Sequence, residues 1–506
     1  MKNKLPFFSS IYLKIIIIFC LFKLLPFSLY SQNWNIVTGG NVLHNGFSKE
    51  FGPPAPTLLW SGGMTSQIAF APVTDSIYLA TVRMTNINDP LYGNKIVMMD
   101  IRNGDTLWTK YLPVIFPSAD WSNRVSAIND GVLYASRSGN SNHAYLYALD
   151  VQTGNILWQS DSLIDESINE GANFAPDGDL LIGNLFSITK ISRVDGSTVW
   201  QTNRLGYQNG SELGVYGSKV YSIIDIANAV HVAAYDVVNG QLLYTSPALA
   251  GGLVQQLGFF IADDGTLYIP RSQNNPSTDS LFSITDNGSA FTRNWAVPID
   301  YIPFSSHAIG PDGSVYGYNR NGRVMRIDPA IGMVTDTSKI VLFGDAFQPR
   351  MSIDSAGRVF VTNGGFTDGM FYSFNADLTL RWEEVVPNVN VGGPAIGLEG
   401  TLIVCGTGTD FRAYKGQFST SVNEYNASAS SNVVIYPNPA NDSITVNGIF
   451  VETEMSIFDR SGTLVLAGSL NNLFNKINIS SLSRGMYILK MKIENRIVVK
   501  RFVKTG

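Results

Sequence analysis

A short unit that keeps returning limits what this chain can become more than any other feature. Its clearest copy is YLYALDVQTGNILW, from Tyr145 to Trp158. Apolar and aromatic residues alternate with a period of two up to Asp150, the pattern of a strand. Asp150 then opens a tight turn. Its short carboxylate can accept from backbone N–H groups just ahead, and Gly154 can take the positive φ that closes the turn. Ile156, Leu157 and Trp158 form the returning strand. A lone hairpin is marginal in water, so this one needs copies of itself to lean on. They are present as KIVMMDIRNGDTLW (95–108), TKISRVDGSTVW (189–200), VAAYDVVNGQLLY (232–244) and SLFSITDNGSAFTRNW (280–295), with degenerate versions at 323–334 and 370–382. A Gly turn with a short apolar strand precedes most of them, as in DGVLYA (130–135), PDGDLLIG (176–183) and PDGSVYG (311–317).

The returning aromatics Trp60, Trp108, Trp158, Trp200, Tyr244 and Trp295 are spaced by 48, 50, 42, 44 and 51 residues. About four short strands per 40–50 residues is the signature of a β-propeller blade. Leu58-Leu59-Trp60 copies the returning strand with no hairpin before it, while the last unit (398–416) has the early strands and no returning strand. The halves are complementary. The N-terminal strand is therefore expected to complete the last blade and leave no open edge. Counting units predicts an all-β, eight-bladed β-propeller, with seven blades as the alternative because the unit near 335 is weak. Tryptophans at one fixed place in the repeat (60, 108, 158, 200, 295, 382) read as packing between blades; Trp34 and Trp121 fall outside that pattern.

Low charge (15%) and 47 glycines suit a turn-rich extracellular chain, and 45% apolar residues supply a sizeable core. A formal charge of −5 argues against a nucleic-acid partner. Residues 1–31 read as a secretory signal: Lys2, Lys4 and Lys14 precede the apolar run Ile15–Phe22, and Ser28 and Ser31 offer a cleavage region. That run is too short to span a bilayer, so no transmembrane segment is expected in the mature chain. Cys20 lies in this segment, which leaves Cys405 alone and no internal disulfide.

Candidate chemistry is sparse. None of His44, His143, His231 and His307 has zinc-site spacing. Asp177-Gly178-Asp179, Asp263-Asp264-Gly265 and Asp312-Gly313 lack the calcium-loop pattern and read as turns. No catalytic, cofactor-binding or metal-ligating residue is assigned, and no cofactor is expected. Loops 83–94 and 271–279 are the first candidates for binding an extracellular ligand, because loop residues are free of packing duty.

The pattern in ALDVQTGNILW (148–158) resembles the PQQ-like repeats of quinoprotein-type propellers, over roughly 33–416. Quinone-dependent dehydrogenases of that kind carry a vicinal cysteine pair and a carboxylate-rich calcium site. Here Cys405 is followed by Gly406, which argues against quinone-dependent oxidation. Residues 417–432, rich in Ser, Asn and Ala, read as a linker.

Residues 433–506 read as a small antiparallel β-sandwich entered through Tyr436-Pro437-Asn438-Pro439. With Asp459, Gly462, Gly485, Tyr487 and the basic end Lys500, Arg501 and Lys504, this segment resembles the type A sorting domain of type IX secretion. The resemblance implies that the type IX machinery is a partner. It also implies export across the outer membrane, removal of the domain, and release or surface attachment. From Arg484 onward there are seven Lys/Arg and one acid, Glu494, which reads as a charged grip for that machinery. The expected function is an exported binding or interaction platform. The alternative is an extracellular polysaccharide hydrolase or lyase, which needs converging carboxylates in the propeller channel.

Overall fold

The computed structural model describes residues 34–505, except 65–67, 85–93, 116–121, 139–143, 165–171, 185, 205–212, 228, 250–259, 272–279, 300–305, 320, 340–348, 366–367, 390–391, 407, 418–433, 437, 439, 448–452, 460–462, 471–473 and 494–495. The expected signal segment and all of the linker but Gln417 lie outside the described residues, as do Trp121, His143, Pro437, Pro439, Gly462 and most of the two candidate loops. The chain divides into two compact units, one of Tyr30–Phe418 and one that includes Ser419–Gly506.

The first unit has a β-propeller fold, and its described residues form eight sheets. In one of them Ser122–Asn129, Val132–Ser138, Ala144–Asp150 and Ile156–Ile164 pair in sequence order, each antiparallel to the next. The same meander recurs over 172–203, 214–245, 260–298, 308–337 and 350–385, and over 68–110 with Val73–Asp75 as an extra strand. The eighth sheet is assembled from both ends of the unit. Ala395–Ile396, Leu402–Cys405 and Gly408–Tyr414 are completed by Leu58–Met64, with Trp60 opposite Ala413. An apolar cluster lies between each sheet and the next. A further one joins Leu79, Val97 and Met99 of the first sheet to Ile403, Cys405 and Phe411 of the eighth. The sheets therefore pack in a closed circuit.

This packing explains the composition of the strands. Inner strands are covered on both faces and are short apolar runs, such as Leu180–Gly183, buried at every position. Outer strands face a neighbouring sheet on one side and solvent on the other, so Thr198–Asn203 alternates exposed and half-buried.

The Asp turns behave as their sequence predicts. Asp150 Oδ1 accepts from the N–H groups of Gln152 (3.1 Å) and Thr153 (2.8 Å), and Gly154 sits at φ 69°. A Cβ on Gly154 would also come within 2.8 Å of the Trp108 ring of the preceding sheet. The indole packs on bare backbone, and its Nε1 donates to Val151 O in the same turn (2.8 Å). The same arrangement joins Trp60 to Ile101 O, Trp158 to Arg193 O, Trp200 to Val237 O and Trp295 to Pro329 O. Five of the six repeated tryptophans thus fasten one sheet to the next. The sixth, Trp382, packs against Phe371 and Tyr414, but its Nε1 has no partner among the described residues. Because the outer strand of the eighth sheet comes from the N-terminal side, no Asp turn exists there to supply the acceptor.

The second unit holds a three-stranded sheet (Val434–Tyr436, Ser443–Asn447, Phe474–Asn478) and a four-stranded sheet (Leu464–Leu470, Thr453–Phe458, Gly485–Ile493, Arg496–Lys504). Ile444, Val446 and Ile477 of one share a core with Met455, Ile457, Leu489, Met491 and Phe502 of the other.

Candidate functional site

The middle of the circuit is where the structure departs most from the sequence reading. Residues 34–52, which carry no repeat signature, run from sheet to sheet along the innermost strands. Trp34 O accepts from Thr74 N (2.7 Å), Val37 N donates to Ser126 O (3.0 Å) and Asn35 O accepts from Ile128 N (2.8 Å). Further along, Leu43 O accepts from Ile261 N (2.8 Å), Asn45 O from Ile309 N (2.8 Å) and Gly46 O from Ile353 N (2.7 Å). Phe51 O accepts from Gln417 N (2.9 Å) beyond the last strand of the eighth sheet. Side chains of the segment enter successive clusters: Trp34 between the eighth and first sheets, Val37 between first and second, Val42 between second and third, Leu43 between fourth and fifth, Phe47 between sixth and seventh.

At its midpoint His44 is buried. Its Nδ1 faces Thr38 O (3.0 Å), and its Nε2 faces Asn173 Nδ2 (2.9 Å). A carbonyl can only accept, so Nδ1 carries the proton and Nε2 accepts from the amide. Burial pushes the imidazole pKa down to about 4, against smaller opposing effects of backbone carbonyls. His44 is a neutral structural residue. His307, stacked on Phe260, is pushed down to about 3 by burial, and His231 Nδ1 lies 2.7 Å from Ser246 O.

These contacts fall at or near the ends of innermost strands, just ahead of the Gly turns. The Asp turns lie at the same end: Val151 N donates to Gly131 O and Val237 N to Ser218 O. In an antiparallel meander the turns alternate ends. The opposite end therefore carries the second-to-third-strand connections and the links between sheets. The described strand ends that flank the two candidate loops, Met84 with Asn94 and Arg271 with Ser280, lie at that opposite end.

The acidic turns are occupied by local partners. Asp177 and Asp179 bracket Lys190, and Asp312 and Asp336 bracket Arg326. The buried carboxylates of this unit, Asp100 and Asp354, are paired with Arg102 and Arg358 in different sheets.

In the second unit the predicted residues converge on the last strand. Asn438 donates to Arg501 O (3.1 Å) and accepts from Val503 N (2.9 Å). Ala440 continues this ladder, donating to Val503 O (2.8 Å) and accepting from Thr505 N (2.9 Å). The entry segment thus covers the outer edge of the final strand. Tyr436 lies in a strand opposite Thr445. Gly485 is paired with Lys504 and Tyr487 with Phe502, on which the tyrosine ring stacks at 5.6 Å. Asp459 Oδ1 accepts from Thr463 N (2.9 Å) across a hairpin turn. The basic residues do not share one face. Lys500 and Lys504 flank the inward-facing Phe502, Lys504 is buried, and Arg501 points out to solvent. Sequence spacing places basic groups on a strand; the alternation of its two faces divides them.

Comparison with known proteins agrees with both units. A family model described as outer membrane protein assembly factor BamB, of the PQQ repeat type, matches residues 92–338. One described as a secretion system C-terminal sorting domain matches residues 434–505. The chain carries a PQQ-like repeat region and a C-terminal secretion sorting domain.

Quinoprotein alcohol dehydrogenase PedH of Pseudomonas putida is 25% identical to this PQQ-like protein over 138 residues, 24% of this chain and 22% of the relative. The chain therefore spans about a fifth of that relative's length. Among solved structures, the C-terminal WD40 domain of Sif2 superposes with a TM-score of 0.50 at 12% identity, covering 71% of this chain and 98% of that one. BamB from Moraxella catarrhalis gives 0.48 at 14% identity, covering 71% and 98%. At these identities the likeness concerns fold alone.

The residues present do not fit a quinone site of the dehydrogenase kind. Cys405 has no cysteine neighbour in sequence and is buried in the apolar cluster around Trp60 and Phe411, which pushes its thiol pKa well up. The sorting domain of the PQQ-like protein marks it for export to the cell surface or the medium, and no helix among the described residues is long and apolar enough to cross a membrane.

Proposed function

We propose that this PQQ-like protein is an eight-bladed binding platform, delivered outside the cell by type IX secretion, that takes its ligand on the loop-bearing end of the propeller. The proposed organisation is a signal peptide at 1–31, the propeller at 33–416, a linker at 417–432 and a cleavable sandwich-type sorting domain at 433–506. The observation that carries the reading is the path of residues 34–52. That segment is bonded along the turn end of the innermost strands, so the connections at the other end are the ones left for recognition. Asp100 and Asp354 are each held in an ion pair by an arginine of their own turn, which supports binding over glycoside hydrolysis.

Two measurements test this. Mapping both termini of the protein recovered from medium and surface fractions should find a mature start near residue 32 and an end near the linker; full-length protein confined to the periplasm overturns the delivery part. Replacing loops 83–94 and 271–279 by short Gly/Ser turns should abolish capture of ligand from a glycan and surface-protein panel. Unchanged capture by the loop-replaced protein overturns the assignment of the binding end.

A further inference from the structure

We propose that the side wall of the propeller, between the fourth and fifth sheets, holds a cleft that binds a small amphiphilic anion: an apolar body carrying one carboxylate. This site goes beyond the platform reading and does not depend on it.

The junction that holds the cleft is built differently from the others. The returning aromatic is Tyr244, and its hydroxyl donates to Asp286 Oδ1 (2.6 Å) instead of to a turn carbonyl. Strand Leu242–Thr245 is short, and the chain then turns inward, with Ser246 N donating to Val232 O and Leu249 N to Val230 O (both 2.8 Å). Beside this inward turn lies a cavity of about 380 Å³. Leu249, Ile284 and Phe291 form its floor, Ser246 to Ala248 one wall, and Arg293 its rim. The size is at the small end of the about 300–1,000 Å³ range of ligand pockets. It suits a small molecule and excludes more than a residue or two of a peptide.

The chemistry of the walls selects the ligand. The floor residues are buried and offer apolar contact only. Ser246 Oγ is committed, accepting from Val232 N (2.9 Å) and donating to Pro247 O (2.8 Å). Asp286, on the same strand as Ile284, is saturated: Lys219 Nζ (2.8 Å), Tyr221 OH (2.7 Å), Tyr244 OH and Gly288 N (2.7 Å) all donate to it. It neither repels an anion nor competes for one. Arg293 is exposed and, among the described residues, forms no hydrogen bond or ion pair. Its planar fork matches a carboxylate in two parallel hydrogen bonds. An uncommitted guanidinium at the mouth of an apolar cleft recognises an anionic head with a hydrophobic tail.

The test uses the full purified chain with anilinonaphthalene sulfonate as the fluorescent probe and octanoate and octanol as competitors. The expected result is saturable binding of one probe per chain, displaced by octanoate at least about tenfold better than by octanol, the value of one charge-assisted contact. Arg293→Glu should weaken octanoate by at least the same factor, and Ala248→Trp, which fills the cleft from an exposed position, should remove binding. Melting temperatures unchanged by either substitution separate loss of the site from loss of the fold. Equal displacement by octanol, or probe binding that survives both substitutions, overturns the proposal.

Discussion

The junction between the first and second sheets and the junction between the fourth and fifth solve one problem by different means. At the first, Trp108 lies on the bare backbone of Gly154 and gives its N–H to Val151 O. At the second, Tyr244 is too short for that reach, and Gly288, in the corresponding turn, has nothing within 4 Å of a Cβ position. The link is carried by Asp286 with Lys219, Tyr221 and Tyr244. Where the tryptophan arrangement fails again, at Trp382, another carboxylate serves: Glu384 accepts from Tyr414 OH (2.8 Å) and Arg412 Nη1 (3.0 Å). At the weak repeat near 335, Tyr316 OH reaches Ala376 O in the next turn (2.9 Å). A large apolar ring with one donor needs only backbone opposite it. Where that pairing is missing, other side chains carry the link, through a carboxylate at Asp286 and Glu384 and through a backbone carbonyl at Tyr316.

Four measurements would break or sharpen this contrast. Trp108→Ala leaves a cavity over Gly154 and should destabilise the propeller by about 3–5 kcal/mol in denaturant unfolding; a loss under about 1 kcal/mol would mean that the indole does not hold the junction. Acid should act on the polar parts and spare the tryptophans. The His44 pKa is lowered by burial to about 4, so its contribution is full above its ordinary value of about 6.5 and is lost as pH falls from there toward the lowered value. His44 should account for up to about 3 kcal/mol of stability lost between pH 7 and 4, and His44→Asn should make that slope shallower, leaving the part carried by His307. An unaltered slope would remove the histidine from the account.

Asp286→Asn should cost about 2 kcal/mol, because Lys219 is left half-buried without its counter-charge. Burial opposes ionisation of Asp286, but the donors around it win and hold its carboxyl below the ordinary range. Its stabilisation is present above the usual carboxylate value and lost as pH falls through the lowered one. The Asn variant should therefore lose less stability than the parent below about pH 4. The smallest effect is the most discriminating. Trp108→Phe forfeits a hydrogen bond and should cost about 1 kcal/mol beyond the change in volume, whereas Trp382→Phe forfeits none. Equal costs at the two sites would show that the N–H bonds contribute nothing.

The repeat was legible because its signals are local. Asp150 and Gly154 define a turn by their own backbone preferences, and the spacing of Trp108, Trp158 and Trp200 reports the length of one sheet. The shared eighth sheet was legible for the same reason, since Leu58 to Trp60 carries the returning-strand pattern without its hairpin. The role of residues 34–52 was not. Asn35, Gly39, Gly40 and Asn45 look like any polar loop, and the backbone atoms through which they bond are the same in every residue. The cleft at Arg293 was equally silent, because Ser246 to Leu249 meet Ile284, Phe291 and Arg293 only where two sheets pack together.

The sequence by itself determined the all-β class, the period, the way the circuit closes and the sorting domain at the C-terminal end, because turn chemistry and alternation act between near neighbours. Only the tertiary structure decided that residues 34–52 occupy the turn end of the axis, that the basic residues at 500–504 divide between two faces, and that one junction opens into a cleft. Each of those depends on which surfaces meet across tens or hundreds of residues, and a linear pattern holds no record of shape.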